Sequence, residues 1–137
     1  MVTIPMPEKT GTKKLFETSY IIGIGASAGG LDAINEMFEN MPDNTGFSFV
    51  IIQHISPDYK SLMAELVAKH TAMKVVEAAD EMLVLPNHIY VIPSKKVMTL
   101  KFGKLLLHEK ERTKSPNNAI DVFFESLAED AGEYAVG

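Results

Sequence analysis

Apolar residues crowd positions 20–25 in a β-rich run, and apolar side chains then recur at helical spacing, Leu31, Ile34, Phe38 and Met41, before Pro42 and the Asp43-Asn44-Thr45-Gly46 turn. A second apolar run covers 47–53. Strand, helix and strand in that order call for a right-handed parallel crossover. Residues 61–70 hold Leu62, Leu66 and Lys69 or His70 on successive turns and predict a second helix, and 74–78 reads as a third parallel strand. From Glu81 the texture changes. Residues 89–92 and the pair 97–101 and 104–108 read as short strands, the last two joined at Phe102-Gly103 in a hairpin excursion. Ile120, Phe123, Phe124, Leu127, Ala128 and Ala131 then trace one helical stripe, with Asn117 or Asn118 as its cap and Gly132 past its end. Residues 134–137 open another strand, at which the sequence stops. The expected fold is α/β: a doubly wound, mainly parallel, Rossmann-like three-layer sheet with a β-hairpin excursion, incomplete at its C-terminus.

Residues 1–19, with Pro5, Pro7, Gly11 and a Thr-Lys-Lys cluster, lack periodicity and read as a flexible leader or linker ahead of a catalytic-type domain over 20–137. The chain of 137 residues is long enough to bury a core without staples, and 46% hydrophobic against 23% charged residues places it among globular proteins. A net charge of -5 argues against nucleic acid as a partner. The absence of cysteine removes thiolate chemistry and fits a reducing compartment. Neither a signal peptide nor an apolar run long enough to span a bilayer is evident, so the expectation is a cytoplasmic protein without membrane insertion.

The chemistry is concentrated where the first two strands end. Gly25, Ser27 and Gly29 form a Gly-x-Ser-x-Gly nucleophile elbow, in which small neighbours let a strand-to-helix turn present a hydroxyl and free backbone N–H groups. Backbone amides around Ala28 and Gly29 are candidate oxyanion donors, backed by the amino end of the following helix. Two other readings of the same glycines stand beside this one. Gly23, Gly25 and Ala28 fit a dinucleotide turn, though Gln53-His54 stands where a ribose-binding acid belongs; alternatively the serine merely caps a helix. His54 follows the apolar run of the second strand, so its imidazole emerges at the same carboxyl edge and can take a serine proton. His70, His88 and His108 read as structural or solvated. No histidine pair has metal-ligand spacing on one helix face, so neither metal nor cofactor is expected.

The segments Ile-Gly-Ala-Ser-Ala-Gly-Gly, Val-Ile-Ile-Gln-His, Ile-Tyr-Val-Ile-Pro and Asn-Ala-Ile-Asp-Val-Phe-Phe-Glu-Ser-Leu-Ala together resemble the catalytic domain of the chemotaxis protein-glutamate methylesterases, from about Tyr20 onward. The resemblance implies hydrolysis of γ-glutamyl methyl esters on the cytoplasmic helices of chemoreceptors, releasing methanol, with amidase action on some glutamines. Ser27 falls on the family's nucleophile and His54 on its general base. The family's third catalytic residue is an aspartate in a Gly-rich segment beyond the strand that opens at Tyr134. No third triad aspartate is therefore expected within this chain. Asp58 and Asp121 are the nearest substitutes, but one reads as a turn residue and the other as a helix-dipole partner. Loss of the orienting acid in a serine triad costs about 10⁴ in turnover, so the expectation is a truncated, impaired hydrolase. The resemblance also points to a parent chain joining methylesterase, methyltransferase and sensor modules. The alternative from another class is a catalytically inactive regulatory or scaffold module of such a fusion.

Overall fold

The computed structural model describes residues 20–26, 28–53, 63–109 and 118–137. Strand β1 (Ile21–Ala26) lies beside β2 (Ser48–Gln53) in parallel, paired from Ile21↔Ser48 to Ala26↔Gln53. They are joined through a 3₁₀ turn (Ala28–Gly30) and helix α1 (Leu31–Glu39), which turns Ile34 and Phe38 inward. Then follow α2 (Met63–Ala68), β3 (Lys74–Glu77), β4 (Met82–Leu83) and β5 (His88–Val91). The chain continues through β6 (Lys96–Lys101), β7 (Lys104–Glu109), α3 (Asn118–Ala131), a second 3₁₀ turn (Gly132–Tyr134) and β8 (Ala135–Val136). The main sheet has the order β3-β5-β2-β1-β8 with every pairing parallel, and β4-β7-β6 form a smaller antiparallel sheet.

Strand alternation explains the layers. Phe49, Ile51, Ile89 and Val91 pack with Ile34, Phe38, Met63 and Val67 of α1 and α2. Val50, Ile52, Tyr90 and Ile92 point the other way, onto Phe123 and Leu127 of α3 and Met98, Leu100 and Leu105 of the small sheet. Both faces of β2 are thus covered, which is why its sequence is one continuous apolar run rather than an alternating one.

The doubly wound α/β class and the hairpin stand as the sequence predicted. At the hairpin turn Phe102 and Gly103 both have positive φ, +52° and +75°, as a two-residue type I′ turn requires. Three details differ. Residues 89–91 of the segment 89–92, read with the hairpin region, instead belong to β5 inside the main sheet, between β2 and β3. Their burial is the reason: Ile89, Tyr90, Val91 and Ile92 are all buried, whereas Lys74 and Glu77 at the ends of β3 are exposed, as suits an edge strand. In α2 the core face carries Met63 and Val67 rather than Leu66, which is exposed; Leu62 lies outside the described residues. On α3, Ala128 is exposed although it lies on the predicted stripe. The leader, residues 1–19, also lies outside the described residues.

Candidate functional site

In a parallel sheet every strand directs its carboxyl end to the same rim. Here β1 and β2 end level, with Ala26 opposite Gln53. Ser27 and His54 are the next residues of the two strands; both lie outside the described residues, as does Asp58. Neighbouring strands are about 4.8 Å apart and successive Cα atoms about 3.8 Å. The last described residues of the two strands, Ala26 and Gln53, therefore sit side by side at one level.

Ala28 and Gly29, the candidate oxyanion donors, belong to the 3₁₀ turn Ala28–Gly30 that runs straight into α1. The first N–H groups of a helical segment have no partner within it, so this turn offers donors where β1 leaves the sheet. The cap position of α1 is Gly30, which supplies no side-chain hydrogen bond, so α1 does not take the serine as its cap residue. Asp32 sits in the first turn of α1 and Asp121 in that of α3. Both are exposed, and each carboxylate partly offsets the positive end of its own helix.

The glycines of β1 answer to a second helix. A Cβ on Gly25 would lie 2.7 Å from Ile120 Cγ2, and one on Gly23 2.8 Å from Phe124 Cε1. That face of β1 is thus occupied by α3, which needs the side chains to be absent at both glycines. Sequence reasoning assigned Gly25 to the turn alone and missed Ile120; the signal that existed was the apolar stripe of α3, without an address.

The other described histidines are engaged locally. His70 Nδ1 meets Glu39 Oε2 at 2.5 Å, His88 Nδ1 donates to Pro86 O at 2.8 Å, and His108 Nε2 pairs with Thr99 Oγ1 at 3.0 Å. Among the described residues no cluster of three His, Asp or Glu could hold a metal ion, and no helix is long and apolar enough to cross a membrane. An open depression of about 540 Å³ on α1, lined by Ala33, Glu36, Met37, Asn40, Met41 and Pro42, lies towards the far end of that helix from the rim.

Residues 22–137 match the model of the family described as CheB methylesterase. A Salmonella typhi protein named protein-glutamate methylesterase/protein-glutamine glutaminase is 34% identical over 97% of this chain and 40% of its own length. A Xanthomonas oryzae protein of the same name, numbered 2, is 33% identical over 100% of the chain and 38% of its own length. The chain thus spans about two fifths of the curated relatives it matches. The crystal structure of the Thermotoga maritima CheB methylesterase catalytic domain superposes with a TM-score of 0.74 at 24% identity, covering 86% of this chain and 65% of that one, a likeness of fold.

Proposed function

The chain belongs to the CheB methylesterase family, and from that premise we propose that it supplies the nucleophile and general base of a serine hydrolase acting on γ-glutamyl methyl esters. Ser27 Oγ attacks the ester carbonyl carbon while His54 takes the hydroxyl proton. The backbone N–H groups of Ala28 and Gly29 receive the oxyanion. Collapse of the tetrahedral intermediate breaks the C–O bond, and the proton held by His54 leaves with methoxide as methanol. Water, deprotonated by the same imidazole, then hydrolyses the acyl-serine to glutamate. The same steps on a glutamine side chain release ammonia, in keeping with the second half of the relatives' name.

The observation that carries this reading is the level ending of β1 and β2, Ala26 against Gln53, with the serine and histidine next in line. The setting we propose with it is methylated chemoreceptors as substrate, on their cytoplasmic helices, and a longer parent chain that adds methyltransferase and sensor modules; family membership supports the first.

Methanol release from a methylated receptor fragment, measured with these residues in their full-length protein, tests it. Ser27→Ala should lower the rate by at least about 10³-fold, since removing a triad nucleophile leaves only binding and oxyanion stabilisation. Equal rates in the variant and the parent would overturn the assignment, and absence of release from the parent would favour the scaffold alternative.

A further inference from the structure

Gly23 and Gly25 share one face of β1, two positions apart, and α3 lies against that face. A Cβ at Gly25 would come 2.7 Å from Ile120 Cγ2; one at Gly23 would come 2.8 Å from Phe124 Cε1 and 3.1 Å from Leu127 Cδ2. Nonbonded carbons rest at about 3.5–4.0 Å, so the seat of α3 on β1 exists only because those two side chains are missing. Ile120, Phe124 and Leu127 fall at i, i+4 and i+7, one stripe of the helix. The helix is also tied to the hairpin along a neighbouring face. Ser126 Oγ accepts the Leu100 N–H at 2.9 Å, and the Asp130 carboxylate accepts the N–H groups of Phe102 and Gly103 at 2.7 and 3.0 Å. A helix tied in this way to the hairpin cannot drift off the strand, and the methyl branch of Ile120 bears on the backbone two residues before Ser27.

We propose that Ile120 is a positioning residue for the nucleophile: its Cγ2 methyl, seated on Gly25, fixes the height at which β1 leaves the sheet and hence where Ser27 meets His54. The proposal rests on the hydrolase reading above. Shape, not hydrophobicity, is what it requires of position 120. Valine keeps the methyl branch at Cβ and loses one carbon; leucine keeps the volume and moves the branch outward.

The test is the second-order rate of Ser27 phosphonylation by a fluorophosphonate, read by mass spectrometry, with the melting temperature of each variant beside it. Ile120→Val should label within about threefold of wild type, while Ile120→Leu, equally or more stable, should label at least tenfold more slowly. Gly25→Ala should lose about 10²-fold, the scale of a 1 Å misplacement. Combining it with Ile120→Ala should recover at least tenfold of that loss, because the colliding methyl is gone. Leucine labelling as fast as valine overturns the positioning role, as does a folded double variant no faster than Gly25→Ala. Should Gly25→Ala not fold, the valine and leucine pair alone decides. All labelling is done with these residues in their full-length protein; a wild type that never labels at Ser27 overturns the hydrolase reading itself, and is told apart from the other outcomes because it precedes any comparison of variants.

Discussion

Tyr90 shows how one side chain joins two parts of the fold. Its ring is buried in β5, and its hydroxyl accepts the Leu85 N–H at 2.8 Å and donates to Leu83 O at 3.1 Å, tying the end of β4 and the loop after it to the main sheet. Burial pushes the phenol above its ordinary range, and the Leu85 hydrogen bond pulls only partly the other way. The folded protein therefore keeps this proton to higher pH than the unfolded chain. The contribution is complete below the ordinary phenol value of about 10 and is lost as pH rises through the raised folded value. Tyr90→Phe should cost about 1–3 kcal/mol at neutral pH by leaving two backbone groups unpartnered. It should also flatten the alkaline fall in stability, which urea unfolding across pH measures. Among the glycines, the sequence makes the turn after β1 recognisable because Gly25, Ser27 and Gly29 sit within five residues. The contact of Gly25 with Ile120 spans most of the chain and leaves no local trace.

At the scale of elements, α2 was recognisable as a helix while its inward face was not. Leu62 and Leu66 have the same i, i+4 spacing as Met63 and Val67, so two apolar stripes run one residue apart. Hydrophobicity does not choose between them; the sheet does, since Met63 and Val67 meet Phe49, Ile51 and Ile89. Met63→Ala should accordingly cost about 2–5 kcal/mol, the range for emptying a core position. Leu66→Ala should stay within about 0.5 kcal/mol, as surface substitutions do. Thermal or denaturant unfolding of the two variants would reverse this assignment if Leu66→Ala proved the more damaging. The hairpin was easier to read, because alternating strands around Phe102-Gly103 encode both strands and turn locally.

For the whole molecule, the parallel βα alternation was legible but strand order was not. The crossover rule fixes handedness without saying which strand becomes the neighbour. β5 enters the sheet between β2 and β3 after the chain has already passed through β3 and β4. The pairing on which the proposed site rests, β1 with β2, is the one that a single short crossover favours, and for that reason this pairing was legible ahead of the full topology. Family membership and the level end of the two strands both support the proposal that the reaction takes place at this rim.

The most direct measurement of the serine and histidine partnership is the pH dependence of fluorophosphonate capture at Ser27, with these residues in their full-length protein, in the wild type and in His54→Gln. If the imidazole draws the serine proton, capture rises with pH through one ionisation, and that limb vanishes with the histidine as the rate falls at least about 10²-fold. Matching profiles in the two proteins, or an adduct on any residue other than Ser27, would contradict the account.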